Sequence, residues 1–175
     1  MTKLFDLLGK QTLFFDGAMG TMLQEMGMAP GEFPESLNLF RPEDIQSIHR
    51  AYLEAGCHIL KTNTFGGNRV KMAEAGLSVE EVVRAGVSIA KEAAKGFENR
   101  FVALDMGPTG KLMEPLGELS FDEAYEAFKE MAIAGEKAGA DLCPVSYTHL
   151  DVYKRQGTGR GFRGKNCRPT AFPAS

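Results

Sequence analysis

The sequence predicts an α/β protein built from repeated strand–helix units with parallel strands. Apolar runs begin near residues 12, 57, 101 and 140, at spacings of 45, 44 and 39 residues, and helix signals lie between them. Alternating strands and helices with short connections favour parallel strands and right-handed crossovers. A doubly wound sheet and a (β/α)8 barrel both remain open, and the lack of a G-x-G-x-x-G fingerprint after the first strand favours the barrel slightly.

Three of the apolar runs break into small, polar, glycine-rich residues. A buried parallel strand delivers a ligand-binding loop at its carboxyl end in this way. The segments are residues 14–21, FFDGAMGT, residues 61–68, KTNTFGGN, and residues 101–110, FVALDMGPTG. We therefore expect a binding site at the edge of the sheet where these loops meet.

The first long helix is predicted to begin at Pro42 and Glu43 and to end before Gly56. Proline suits the first helical turn, and glycine suits a left-handed stop. Apolar residues recur inside it every three to four positions, at Ile45, Ile48, Tyr52 and Leu53.

Two further helices are predicted from capping boxes of the form Ser-x-x-Glu, Ser78 with Glu81 and Ser120 with Glu123. The second of these helices ends at Gly139. We expect it to lie on the sheet through one face, made of Phe121, Ala124, Tyr125, Phe128, Ala132 and Gly135.

Composition narrows the class of protein. Apolar residues make up 43% of the 175, and no run of 18 apolar residues occurs, so we expect no membrane span and a cytoplasmic location. The three cysteines are odd in number and unclustered, which gives neither a disulfide framework nor a Cys-x-x-Cys zinc site. A net charge of −3 does not favour a nucleic-acid partner.

The binding-loop segments resemble those of a known family. Together with residues 38–42, NLFRP, residues 48–56, IHRAYLEAG, and residues 107–112, GPTGKL, they are similar to the homocysteine-binding domain of cobalamin-dependent methionine synthases. The wider family is the zinc-dependent homocysteine S-methyltransferases, whose fold is a (β/α)8 barrel. The resemblance runs from about residue 4 to residue 142. Such a barrel needs about 250 residues, so residues 1–143 are expected to form its N-terminal half, about three βα units and the start of a fourth strand.

The resemblance implies an enzyme that makes methionine by methyl transfer from methylcobalamin to a zinc-activated homocysteine thiolate. Folate and cobalamin domains would be its partners in the parent protein. Betaine or S-methylmethionine is the alternative donor. A third alternative is that this chain is a non-catalytic fragment, expected to bind neither zinc nor cobalamin.

Residues 144–175 are expected to be a separate, non-native and disordered tail. Residues 1–144 contain 14 basic and 22 acidic side chains, whereas residues 145–175 contain six and one. Residues 145–156, VSYTHLDVYKRQ, resemble the translation of a sequencing adapter, and residues 157–175 have no hydrophobic period. The alternative is a basic tail that binds nucleic acid.

The first loop is the candidate substrate site. Asp16 only accepts hydrogen bonds when ionised, so it suits an ammonium group, and the N–H groups of Gly17, Ala18 and Met19 suit a carboxylate. By resemblance, this loop holds the amino-acid end of homocysteine. The alternative is a tight turn with a capping aspartate.

The second loop is a candidate for the same pocket. The resemblance implies that Asn63, Thr64 and Phe65 line it near the substrate sulfur. Asp105 and the turn at residues 107–110 are expected at the rim.

No catalytic or metal-ligating residue is assigned. The family binds zinc through a Gly-x-Asn-Cys cysteine and an adjacent cysteine pair; Cys167 follows Gly164, Lys165 and Asn166 but lies in the tail with no pair behind it. The family's glutamate after the fourth strand is absent, because the chain reads CPVS at residues 143–146. Cys57 is expected to be a buried apolar residue, and His49 and His58 to lie away from the carboxyl ends of the strands.

Overall fold

The computed structural model describes residues 4–144, so the tail, with Cys167 and His149, lies outside the described residues. The described chain contains helices and two short strands, and a 3-10 turn at Pro34–Ser36. In chain order the elements are α1 Leu4–Leu7, α2 Met19–Glu25, α3 Leu37–Phe40, α4 Pro42–Glu54, β1 Ile59–Lys61, α5 Arg69–Ala75, α6 Val79–Ala94, β2 Phe101–Ala103 and α7 Phe121–Ala138.

The sheet keeps its segments in the order in which they occur along the chain. β1 and β2 pair in parallel, with Leu60 opposite Val102. Single parallel bridges extend the sheet on both sides, Phe15 to Ile59 and Ala103 to Leu142. The first and fourth predicted strands are therefore present as parallel bridges, not as full strands. Sequential parallel order is the order of a barrel, whereas doubly wound sheets reverse their order at a switch point.

The predicted helix ends are confirmed. α4 begins at Pro42, and Gly56 follows it with a φ of 97°. The Ser78 side chain accepts a hydrogen bond from the Glu81 N–H at the start of α6, and Ser120 and Glu123 form the full reciprocal box at the start of α7. Side-chain caps thus mark where α6 and α7 begin, whereas α4 begins at a proline without a side-chain cap.

The core lies between the sheet and the helices α4, α6 and α7. Three of the four predicted apolar positions of α4, Ile45, Ile48 and Leu53, are at most 2% exposed, and Tyr52 is partly buried against the core. The remaining core is dominated by α6 and the sheet, with Val82, Val83, Val87, Ala90, Leu60, Val102 and Leu104 all buried.

The predicted face of α7 is partly wrong. Ala124 and Gly135 are buried, but Phe121 is 71% exposed and Tyr125 is 55% exposed. Small residues, together with Met131, make up the buried face of α7, which packs mainly against α6. The aromatic residues point to the next side of the helix because they are too bulky for that close helix–helix contact.

The exposed side of α7 forms an apolar groove of about 490 Å³. Its lining is almost entirely apolar, with Met106, Met113, Phe121, Ala124, Tyr125, Phe128, Lys129 and Ala132 around it. None of the helices within residues 4–144 has both the length and the apolar character needed to cross a membrane.

We expect the chain to self-associate through this groove, because a contiguous exposed apolar surface drives association in water. Phe121→Gln should therefore weaken self-association and raise its dissociation constant several-fold. Sedimentation velocity over a range of protein concentrations measures this constant. Phe40→Gln is the matched control, since Phe40 is 70% exposed but does not line the groove. A parent chain that stays monomeric at high concentration would contradict this prediction.

Candidate ligand-binding site

A cavity of about 220 Å³ opens where the loops after the parallel segments meet. Its volume is below the roughly 300–1,000 Å³ of drug-sized sites, so it suits a small molecule. Three carboxyl groups and one ammonium group line it, those of Asp16, Glu35, Asp105 and Lys61. This balance favours a ligand with a positively charged group. The other lining residues are Gly17, Met19, Gly20, Pro34, Thr62, Asn63 and Phe65.

Asp16 is a buried acid of the cavity with a raised pKa. Its side chain is 3% exposed, its Oδ2 accepts the Lys61 backbone N–H at 2.9 Å, and its Oδ1 lies 3.8 Å from Lys61 Nζ. Burial raises the pKa of Asp16 to about 7, and the charge of Asp105 adds to the rise, while Lys61 opposes it. Near neutral pH this carboxyl group is therefore present in both its protonated and its ionised form. A cation that binds beside it would favour the ionised form.

The loop after Asp16 leads into α2. No hydrogen bond in the described part of the chain uses the backbone N–H groups of Gly17, Ala18 or Met19. The loop is fixed from α4, because the Tyr52 hydroxyl donates to the Ala18 carbonyl at 2.9 Å. Gly17 is required by this contact, since a Cβ there would lie 2.7 Å from the Tyr52 oxygen. Gly17 and Met19 line the cavity, whereas Ala18 does not.

The residues of the second loop divide between the cavity and its support. Asn63 and Phe65 line the cavity. Asn63 also donates to the Pro34 carbonyl at 2.7 Å and to Asn38 Oδ1 at 3.0 Å. Thr64 is fully buried and does not line the cavity; its hydroxyl donates to the Asp105 carbonyl at 2.8 Å. The structure therefore places Thr64 beneath the site.

Sequence reasoning missed Glu35. This residue is 4% exposed, lines the cavity and accepts the Gly66 N–H through Oε1. It lies in the 3-10 turn between α2 and α3, where no strand-end pattern points to a site. Proline at position 34, at the start of that turn, was the only local signal in the sequence.

The expected position of His49 is wrong. Its ring is fully buried, and its Nδ1 lies 4.0 Å from Asp16 Oδ2. His49 therefore extends from α4 towards the same Asp16 carboxyl group that faces the cavity. His58 agrees with the expectation, because its Nδ1 accepts the Phe14 N–H where the first segment begins to run beside β1.

The described residues do not fit a zinc site. Within residues 4–144 no three His, Cys, Asp or Glu side chains are placed to hold a metal ion together. Cys57 is buried, as expected, and Cys143 is partly buried. Burial raises the pKa of both thiols to about 11, which opposes the thiolate form that zinc requires.

Comparison with protein families and curated proteins identifies close matches. The family model for homocysteine S-methyltransferase matches residues 13–148. The methionine synthases of Mycobacterium tuberculosis (strain ATCC 25618 / H37Rv) and Mycobacterium leprae (strain TN) are 33% and 32% identical to this chain over 156 residues. Each match covers 82% of this chain and 13% of the relative, so the chain spans a small part of the length of these enzymes.

Solved structures of the homocysteine methyltransferase MmuM from Escherichia coli have the same fold. The oxidized form is 27% identical with a TM-score of 0.68, over 80% of this chain and 55% of MmuM. The metallated form has the same TM-score at 23% identity, over 78% of this chain and 54% of MmuM. These neighbours are (β/α)8 barrels, of which the chain spans about half.

The raised pKa of Asp16 predicts a pH-dependent stability. Because the folded-state pKa is about 7 and the ordinary value is 3.8, the folded chain holds a proton between these values that the unfolded chain has lost. The free energy of unfolding therefore falls as pH rises from about 4 to about 7, by at most about 4 kcal/mol. Asp16→Asn should remove this fall and be more stable than the parent above pH 7.

The measurement is urea unfolding of the parent and the variant between pH 4 and pH 8. Asp122→Asn, in the exposed first turn of α7, is the matched control and should keep the slope of the parent. Equal slopes for the parent and Asp16→Asn would contradict the buried ionisation of Asp16.

Proposed function

The chain belongs to the homocysteine S-methyltransferase family, and on that premise we propose that its cavity binds the amino-acid end of homocysteine for methyl transfer to the sulfur. The observation that carries the proposal is the buried Asp16 carboxyl group in a small, acid-rich cavity. An ammonium group is the part of homocysteine that such a cavity suits.

In the proposed binding mode, each end of the amino acid has its own partner. The ammonium group lies against the Asp16 carboxylate, and the neighbouring acids Glu35 and Asp105 strengthen the negative potential there. The carboxylate of the ligand accepts from the N–H groups of Gly17 and Met19, which line the cavity and which donate to no described residue. Asn63 and Phe65 form the wall beyond, towards which the sulfur-bearing side chain extends.

The reaction proposed for the whole protein is methionine formation from methylcobalamin and homocysteine, as the likeness to methionine synthases supports. Betaine or S-methylmethionine is the alternative donor. Zinc activation of the thiol is part of what the family resemblance implies, but the described residues do not supply its ligands. We therefore propose that residues 1–143 are the first half of the barrel, and that the metal ligands and the folate and cobalamin domains belong to sequence beyond it.

The cytoplasm is the proposed location, by family resemblance. Sequencing the uninterrupted reading frame beyond residue 143 distinguishes the donors. A Gly-x-Asn-Cys motif, a cysteine pair and folate and cobalamin domains would support methionine synthase. A frame that ends after the barrel would support one of the other two donors.

The homocysteine proposal predicts that Asp16→Asn weakens binding about tenfold to a hundredfold, because a charge-assisted hydrogen bond contributes roughly 1.5–3 kcal/mol. The affinity of the parent should also fall below pH 7, by about tenfold per pH unit, as the Asp16 carboxyl protonates. Isothermal titration of the full chain with homocysteine measures both effects.

N-acetylhomocysteine is the matched ligand control, because it lacks the ammonium group. It should bind the parent and Asp16→Asn equally weakly, while homocysteine should distinguish them. If Asp16→Asn binds homocysteine as tightly as the parent does, Asp16 is a turn-stabilising residue and the proposed binding mode is wrong.

A separate prediction concerns zinc. Because three convergent ligands are needed for a site, the full chain should bind zinc no more tightly than a peptide with isolated thiols. The measurement is zinc affinity and stoichiometry of the reduced chain, with Cys167→Ser as the control variant. A tight one-to-one complex that Cys167→Ser abolishes would contradict the prediction and restore a metal site in this chain.

A further inference from the structure

Three buried side-chain atoms of His49 and Asp16 lack a hydrogen-bond partner among the described residues, although Asp16 Oδ1 lies 3.8 Å from Lys61 Nζ. They are His49 Nδ1 and Nε2 and Asp16 Oδ1. The His49 side chain is 0% exposed and the Asp16 side chain is 3% exposed. A buried polar group without a partner costs roughly 1–3 kcal/mol, so a fold that keeps three together calls for an explanation.

The distance between the two side chains supplies one. His49 Nδ1 is 4.0 Å from Asp16 Oδ2, and that oxygen already accepts the Lys61 N–H at 2.9 Å. A shift of about 1 Å would bring the ring into hydrogen-bond range. Oδ2 would then be held by two donors, from β1 and from α4, while Oδ1 would stay available to a ligand.

The protonation of the histidine fits this role. Burial lowers the pKa of His49 to about 4, so the ring is neutral at pH 7 and carries one N–H. With the proton on Nδ1, the atom that lies 4.0 Å from Asp16 Oδ2 is a donor, which attracts the carboxylate; with the proton on Nε2, that atom carries a lone pair, which repels it. The carboxylate therefore selects the Nδ1–H form.

Other titratable groups act on the same carboxyl. Lys61 attracts its charge and Asp105 repels it. Tyr52 and Cys57 experience the charge of Asp16 in turn. None of these four side chains takes the position of the His49 ring, whose Nδ1 lies 4.0 Å from Asp16 Oδ2.

We propose that His49 is a positioning residue, whose Nδ1–H holds the Asp16 carboxylate in the orientation that receives the ammonium group of the ligand. The ligand part of this inference rests on the proposed function. The approach of His49 Nδ1 to within 4.0 Å of Asp16 Oδ2 does not, because it is observed in the chain without a ligand.

The matched variants are His49→Asn and His49→Leu. Asparagine and leucine have nearly the same shape, but only asparagine can present an N–H near the place of Nδ1. Both leave the same space where the ring was, so their difference isolates the donor. Leucine is also the better residue for a buried apolar position, and its variant is expected to fold at least as well as the asparagine variant.

The first measurement uses the full chain without ligand. Carbon-13 NMR titration should give Asp16 an ionisation constant about tenfold smaller in His49→Leu than in His49→Asn, because the donor stabilises the ionised form. Nitrogen-15 NMR of the parent should show His49 in the Nδ1–H form. Equal ionisation constants in the two variants, or an Nε2–H ring in the parent, would overturn the proposal.

The second measurement is homocysteine affinity at pH 8. His49→Leu should bind about tenfold more weakly than His49→Asn, although its unfolding midpoint in urea should be no lower. Equal affinities would overturn the ligand part of the proposal. A parent chain that does not bind homocysteine would contradict the proposed function instead, and the NMR measurements would then decide the contact between His49 and Asp16 by themselves.

Discussion

The carboxyl ends of the central strands are held together by side-chain hydroxyls as well as by the sheet. β1 and β2 have three residues each, which gives few ladder hydrogen bonds. The Thr62 hydroxyl accepts the Asp105 N–H at 3.1 Å, and the Thr64 hydroxyl donates to the Asp105 carbonyl at 2.8 Å. Buried hydrogen bonds of this kind fix the spacing of two loops beyond the strands. These hydrogen bonds therefore join Thr62 and Asp105, which both line the cavity.

A second set of buried hydrogen bonds, made by Asn38, joins the loop at Asn63 to α6. Asn38 donates to the Asn63 carbonyl at 2.8 Å and to the Val82 carbonyl of α6 at 3.2 Å. α6 can approach this link only because position 86 is glycine, where a Cβ would lie 2.9 Å from both the Asn38 amide and the Thr64 methyl group. Helix packing and site geometry therefore depend on the same few atoms. Substitutions at Asn38 or Gly86 would disturb the cavity without touching its lining.

The sequence predicted those features that depend on neighbours along the chain. Helix caps at Ser78 and Ser120 need only the next three residues, and the loops at Asp16 and Asn63 come directly after apolar strands, so the pattern contained them. Glu35 lines the cavity from a 3-10 turn, and His49 approaches the Asp16 carboxyl group from inside α4. Their roles depend on how distant segments pack, and a histidine on an apolar helix face looks like any core residue until its partner is placed.

The exposed side of α7 is a further feature that the local sequence pattern predicts only in part. The period of the helix predicts an apolar face correctly, but not which part of that face meets this chain. Its small residues pack against α6, while Phe121 and Tyr125 border an open groove beside Met113. Leu142 forms the last bridge of the described sheet. A barrel continues by adding its next strand at such an edge and its next helix against such a groove. The groove and the sheet edge are therefore the two surfaces that the next strand–helix unit of the proposed longer barrel would cover together.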